Sequence, residues 1–371
     1  MTDPSPIARV DLHRIALPLH RPHVAAHGRE GAREVVLVEV VDADGASGWG
    51  ECPTLARPGY SPEWTDGAWW VLRHVLAPDL LAGRPIGVAG HPMASGAVRD
   101  ALLDLRLRRA GLGPSDALGP LAASVDVGVA IGLADGVGEV VAAAGAAGEA
   151  GALLVVLKVR PGWCATPVEA VRRAHPDLAV AVDANGSFSA ATLDELRAAD
   201  ALGVAFVEQP MAVGDRAGSV RAVAALDALV ALDEAVASLA DLEVALAFGT
   251  GSMVTVKPSR LGGVEAAAQF ASRAAAAGWG VHAGGMLESG LGRAAARVVA
   301  ARPEVSGPSL VGPTALLFGA DVVDPVGAGS DGTVAVPAGP GLAPPPDPER
   351  LVRLTVDHWS EDADDAVRPA P

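Results

Sequence analysis

Five apolar runs recur about 25 residues apart, and each ends on a charged residue. LLVVLK ends at Lys158, LAVAVD at Asp183, VAFVE at Glu208, LVALD at Asp233 and SMVTVK at Lys257. Short runs rich in Val, Leu and Ala read as strands buried on both faces of a parallel sheet. The residues between leave room for a loop and a helix, and PVEAVRRAH, LDELRAAD, VRAVAALDA, LADLEVALAFG and VEAAAQFASRAAAAG supply helical patterns. Repeated βα units close into a barrel whose strands present their C-terminal ends at one mouth. Three carboxylates flanked by two lysines then converge in one place. Carboxylates on neighbouring strands suit Mg2+, a hard cation that takes oxygen ligands.

A chain of 371 residues is long enough for one large domain and a smaller one. Before about Pro120, IARVDLHRIAL and EVVLVEVVDADGASGWGE read as strands with a hairpin turn at DADG. WTDGAWWVLRHVLAPDLLA and SGAVRDALLDLRLRRAG read as amphipathic helices, so this part is an α+β module. The βα rhythm then runs to about Pro325, with its last strand signals at GWGVHAG and around SLVGP. A net charge of −16 argues against a nucleic-acid partner, which needs a basic face. No apolar stretch reaches the length of a membrane span, and MTDPSPIARVDLHR lacks the features of a secretory signal. Cys52 and Cys164 alone make neither a disulfide framework nor a zinc site, so a reducing cytoplasmic setting is expected.

The residue types suit one kind of chemistry. A proton α to a carboxylate is a very weak acid, and a divalent cation on that carboxylate stabilises the charge that its removal creates. A lysine acts as the base only if its pKa falls below the usual value of about 10.4. Lys158 and Lys257 lie on opposite sides of the acids and address opposite faces of a planar intermediate. Each residue also has a plainer reading. Asp183 alone is equally a helix N-cap, and Lys158 alone a surface lysine. Asn185 is also a turn residue, Glu234 a surface acid and Glu288 a helix-start acid. His27 and His282 read as structural before they read as acid–base groups. Arg160 belongs equally to a loop with Pro161, and Gly262-Gly263 permits a tight turn. Three acids in this order between two lysines favour the catalytic reading.

The order Lys158, Asp183-x-Asn185, Glu208-Gln209-Pro210, Asp233-Glu234, Lys257-Pro258 resembles the enolase superfamily. With GWGEC at Gly48–Cys52, KPSRLGG at Lys257–Gly263 and GGMLESGLGRA at Gly284–Ala294, it resembles more closely the muconate-lactonizing subgroup. Within that subgroup it is similar to the family of o-succinylbenzoate synthases and N-acylamino acid racemases. The resemblance spans nearly the whole chain, including GYSPEWTDGAWW and VPAGPGLA. It implies an α/β fold, a modified (β/α)7β TIM-type barrel over residues 121–325. An α+β capping domain over 1–120, completed by 326–371, would close the mouth. It implies Lys158 and Lys257 as the catalytic pair and Asp183, Glu208 and Asp233 as ligands of Mg2+, with Mn2+ as a substitute. Asn185, Glu234, Gly285, Met286 and Glu288 would support these groups or touch the substrate. The implied partner is a small carboxylate, in a homo-oligomer. The first implied activity is o-succinylbenzoate synthesis, a dehydration in menaquinone synthesis. The second is racemisation of N-acylamino acids, or a related epimerisation or cycloisomerisation. A non-catalytic barrel that binds an anion is the third.

The sequence departs from the family pattern at three places. Val156 stands where the family carries the first lysine of Lys-x-Lys. GPSLVGPT has no acid where the family carries Gly-Asp-Thr/Ser, and HRPHVAAHGREGARE differs from most members. These changes leave metal binding and proton abstraction in place and leave the substrate open. If GPSLVGPT and the His20–Glu34 loop line the pocket, the divergence bears on substrate choice.

Overall fold

A computed structural model describes residues 5–25 and 28–366. The parallel sheet has seven strands: β5 Gly128–Ile131, β6 Leu154–Lys158, β7 Ala179–Asp183, β8 Phe206–Glu208, β9 Leu229–Leu232, β10 Met253–Val256 and β11 Gly280–Ala283. They lie side by side in chain order, with a helix between each consecutive pair of strands. Alternation along each strand sorts the side chains into two cores. Val155, Leu157, Val180, Val182, Val207, Val230, Val254 and Val281 face outward and pack with helix residues such as Val168, Leu196 and Phe270. Leu154, Val156, Ala181, Phe206, Ala231 and Met253 form a separate inner cluster. Val156, Ala181, Phe206 and Ala231 each lie two residues before a site residue, so Lys158, Asp183, Glu208 and Asp233 extend this inner layer to the mouth.

The segment around Ser309 links the two edges of the sheet. Leu310 N donates to Ala283 O at 2.8 Å, and Gly128 N donates to Ser309 O at 2.8 Å. Ser309 makes one isolated parallel bridge to Val127 and forms no strand of the sheet. This is the region the sequence marks as SLVGP.

An antiparallel sheet holds β1 Ile7–Ala25, β2 Gly28–Asp42, β3 Ser47–Cys52 and β13 Thr355–Asp362, in the order β13-β1-β2-β3. The DADG turn forms as expected, with Asp42 Oδ1 accepting from Asp44 N and Ala46 N. One face packs on the helix Pro92–Ala110 and on helical turns between Thr65 and Leu81. Along the chain, the segment after the helix Gly290–Ala300 takes two routes. β12 Thr333–Ala335 pairs with β4 Ser124–Asp126, whereas β13 joins β1.

The two sheets are joined through buried carboxylates on helix N-termini. Glu51 of β3 accepts from Ser289 N and Gly292 N, both at 2.9 Å, at the start of the helix Gly290–Ala300. Asp100 of the helix Pro92–Ala110 accepts from Val264 N at 2.8 Å, at the start of the helix Val264–Ala276. Orphan N–H groups at a helix start favour such partners. Backbone approach is close at this contact, where a Cβ on Gly96 would lie 2.8 Å from Gly263 N. Gly262 and Gly263 take φ values of 94° and 109°, which side chains rarely adopt.

Candidate active site

Strand register brings the acids into one row. Lys158 pairs in register with Asp183, and Asp183 with Glu208. Asp233 and Lys257 follow β9 and β10 at the same end of the sheet. The backbone just past the strands is constrained. Among the described residues, Asn185, Gln209 and Leu287 are the non-glycine residues with positive φ, at 42°, 38° and 57°. Each follows one of the strands within a few residues, and such conformations persist only where surrounding contacts hold them. Gln209 supplies one such set of contacts. Its Oε1 accepts from Asp233 N at 3.0 Å and Ala235 N at 3.1 Å, while its Nε2 donates to Met211 O at 2.8 Å.

The lysines divide the acids between them. Lys158 Nζ donates to Asp183 Oδ2 at 2.8 Å and to Asn185 Oδ1. Asn185 Nδ2 in turn donates to Glu234 Oε1 at 2.9 Å. At the other end Lys257 Nζ lies 2.7 Å from Asp233 Oδ2, and Arg260 Nη1 lies 2.5 Å from Asp233 Oδ1. Tyr60, the single tyrosine of the chain, reaches this end from the first part of the chain. Its hydroxyl donates to Asp233 Oδ2 at 2.9 Å and accepts from Lys257 Nζ at 2.7 Å and Arg260 Nη1 at 2.6 Å. The Lys257 ammonium also lies 5.0 Å from the centre of the Tyr60 ring.

Burial and charge set the protonation states. Burial pushes Glu208 up to about 8, helped by the neighbouring charges of Asp183 and Asp233. Burial also opposes the charge on Asp233, but Arg260 and Lys257 outweigh it and hold that carboxylate well below its usual range. For Lys257 burial favours the neutral amine, yet Asp233 and Tyr60 raise its pKa well above the ordinary value. The expectation of a lowered lysine pKa is therefore not met at Lys257 in this structure, because Asp233 is its ion-pair partner.

Among the described residues, no three His, Cys, Asp or Glu side chains converge closely enough to hold a metal ion as they stand. The predicted triad is one row of strand ends, two of whose acids are engaged by lysines. Its donor set nevertheless fits a hard divalent cation. All three donors are carboxylates, and Glu208 is buried with its ionisation opposed by its neighbours.

The other predicted positions fall elsewhere. Glu288 accepts from Met286 N at 2.6 Å and pairs with Arg293 Nη2 at 3.0 Å. Met286 packs into the core of the antiparallel sheet. Gly285 sits where a Cβ would meet Arg293 Nη1 at 2.7 Å and Glu288 Oε2 at 2.8 Å. His282 is buried against Phe206, with ring centres 5.0 Å apart, and burial holds its pKa down at about 4. Arg160 is exposed in a tight turn closed by hydrogen bonds to Trp163. His27 lies outside the described residues. Sequence reasoning assigned no role to Tyr60, Gln209 or Arg260. All three stand inside the motifs GYSPEW, EQP and KPSRLGG, but no spacing rule links Tyr60 to a strand some 200 residues away.

The fold and the site define an enzyme of the enolase superfamily, and the chain belongs to it: residues 134–350 match the family described as Enolase C-terminal domain-like. Its curated relatives include an N-succinylamino acid racemase from Amycolatopsis, 35% identical over 94% of this chain and 97% of the relative. An o-succinylbenzoate synthase from Geobacillus stearothermophilus is 31% identical over 94% of this chain and 96% of the relative. A solved structure titled a probable mandelate racemase from Alicyclobacillus acidocaldarius superposes with a TM-score of 0.89. It is 34% identical and covers 96% of this chain and 99% of its own. No helix among the described residues is long and apolar enough to cross a membrane.

Proposed function

We propose that this chain removes the proton α to a carboxylate and returns it, racemising an N-acylated amino acid. The observation that carries this reading is the placement of Lys158 and Lys257 at opposite ends of one row of acids. Two proton carriers on two sides are what a racemisation needs, one to take the proton and one to give it back. The 35% identity to a racemase supports the same reading. Asp183, Glu208 and Asp233 would hold a divalent metal, proposed as Mg2+ with Mn2+ as a substitute. When bound, the metal supplies Lewis-acid stabilisation of charge on the substrate carboxylate. Lys158, held by Asp183 and Asn185, would be one proton carrier. Lys257, held by Asp233 and Tyr60, is the other.

Dehydration of the o-succinylbenzoate synthase type, a step of menaquinone synthesis, is the second reading. It needs one base and a stabilising cation, and the raised pKa of Lys257 suits the cation. In either case the seven-stranded sheet with the Ser309 segment is read as the modified (β/α)7β barrel of residues 121–325. Residues 1–120, with β13 from 326–371, act as its cap. The buried free thiols Cys52 and Cys164 are in keeping with a cytoplasmic setting.

The test is α-proton exchange in D2O, followed by NMR, with Mg2+ or Mn2+ present. The substrates are N-succinyl and N-acetyl amino acids and the synthase substrate. Exchange and loss of optical activity with N-acylamino acids are expected. Turnover of the synthase substrate alone selects the second reading, and no exchange with any compound overturns both.

A further inference from the structure

Glu63 is a buried acid to which the reading above gives no role. It is 1% exposed and stands at the end of the segment that joins β3 to the helix Thr65–Val71. That segment runs outward and back: Ala56, Arg57, Pro58 and Gly59 are exposed, Tyr60 is half-buried and Glu63 is buried. Both Glu63 oxygens serve the first turn of the helix Pro92–Ala110. Oε1 accepts from Met93 N at 2.7 Å and Oε2 from Ala94 N at 3.0 Å. A helix start leaves such N–H groups without partners, and the N-cap side chain ordinarily takes one of them. Here the N-cap is His91, whose side chain makes no such bond. A carboxylate 30 positions from Met93 takes the place of a local cap.

The same helix also holds the residues that Tyr60 touches. Further along it, Gly96 lies against the backbone of Gly262 and Gly263, and Arg99 Nη1 donates to Gly262 O at 3.4 Å. Asp100 accepts from Val264 N at 2.8 Å. Gly263 N in turn donates to Pro258 O at 2.9 Å, which closes the turn that follows Lys257 and contains Arg260. Tyr60 on one side, and Lys257 and Arg260 on the other, are therefore all fixed relative to the helix Pro92–Ala110. Tyr60 lies three residues before Glu63, a reach of at most about 11 Å.

We propose that Glu63 is a positioning residue that acts through Tyr60. It tethers the Tyr60 segment to the helix that also holds the Lys257–Arg260 turn, and so sets the phenol against Lys257 and Asp233. The part of this inference that concerns catalysis rests on the α-proton reading above. A capping side chain at position 91 would satisfy the same N–H groups without holding Tyr60. The tether matters because a misplacement of about 1 Å at a reacting group costs about 10²-fold in rate.

Two variants test it. Glu63→Gln keeps the side chain's shape but sets an NH2 group against one of the two N–H donors. Pro62→Gly, at an exposed position, loosens the link between Tyr60 and Glu63 and leaves the helix cap in place. It carries the whole test if Glu63→Gln does not fold. Tyr60 is the single tyrosine, so tyrosine labelled with 13C at Cζ gives one resonance for the folded chain. In both variants that resonance should move toward its position in the unfolded chain. In α-deuterium exchange on an N-succinylamino acid with Mg2+ present, Glu63→Gln should lower kcat about tenfold or more and change KM less than about twofold. Pro62→Gly should lower kcat about two- to fivefold. In a Tyr60→Phe background each change should lower kcat by less than about twofold, because residues that act through one contact are not additive. A Cζ resonance unmoved in both variants overturns the proposal, as does an equal fall in kcat with and without the phenol. Absence of exchange in the wild type overturns the α-proton reading instead, and the Cζ resonance then decides the tether by itself.

Discussion

The Tyr60 hydroxyl lies 2.9 Å from Asp233 Oδ2 and donates to it, a contact between residues 173 positions apart in the chain. Through it the first part of the chain reaches an acid at the end of a strand of the parallel sheet. The same oxygen accepts from Lys257 and Arg260, so one phenol orders an ammonium, a carboxylate and a guanidinium. Hydrogen bonds to charged groups contribute about 1.5–3 kcal/mol each. Tyr60→Phe should keep the ring's packing and lower kcat/KM for α-proton exchange by about tenfold or more. An unchanged rate in D2O would show that the phenol only packs.

Lys158→Ala and Lys257→Ala should each lower turnover by about 10²–10⁴-fold, the range of general acid–base contributions. With single enantiomers of an N-acylamino acid, each variant should lose exchange from a different face. NMR in D2O, with metal occupancy measured in parallel, reads this directly. Full activity in Lys158→Ala would remove the two-lysine mechanism.

Asp233→Asn should weaken binding of Mg2+ or Mn2+ by about tenfold or more, since a neutral amide replaces one of three charged donors. Calorimetric titration with the metal alone checks this without reference to activity. The same change removes the ion-pair partner that raises Lys257. Wild-type metal affinity in this variant would exclude Asp233 as a ligand.

Asp100 contributes one part of the pH dependence of the contact between the two sheets. Burial raises its carboxyl to about 7, with Glu265 and Asp104 adding to the shift while the Val264 N–H and Arg99 oppose it. A folded pKa above the unfolded one means stability that is fully present below about pH 4. That stability is lost as pH rises to about 7. The thermal midpoint of the wild type, relative to Asp100→Asn, should therefore fall between about pH 4 and pH 7 and level off above. The change should be on the order of 1–4 kcal/mol. A wild-type-to-variant difference that stays flat over this window would show that Asp100 does not titrate there.

Much of the parallel sheet was legible because a buried parallel strand needs an apolar run, and a βα repeat spaces such runs evenly. The positions of Lys158, Asp183, Glu208, Asp233 and Lys257 at strand ends followed from that local rule, and the register of β6, β7 and β8 agrees with it. The DADG hairpin was legible for the same reason, since its turn is set by four adjacent residues. SLVGP read as a last strand, yet Ser309 makes one bridge, because Gly and Pro on both sides cut the run short.

What only the tertiary structure decided are the contacts between distant segments. Glu51 on Ser289 and Gly292, Asp100 on Val264 and Tyr60 on Asp233 each depend on how the two sheets dock. The protonation of Lys257 belongs to the same class. Its residue type and strand position are local facts, but its charge is set by Asp233, Tyr60 and burial together. Local periodicity specifies which face of a strand a side chain takes. The field at that side chain is a sum over groups that the chain brings together only on folding.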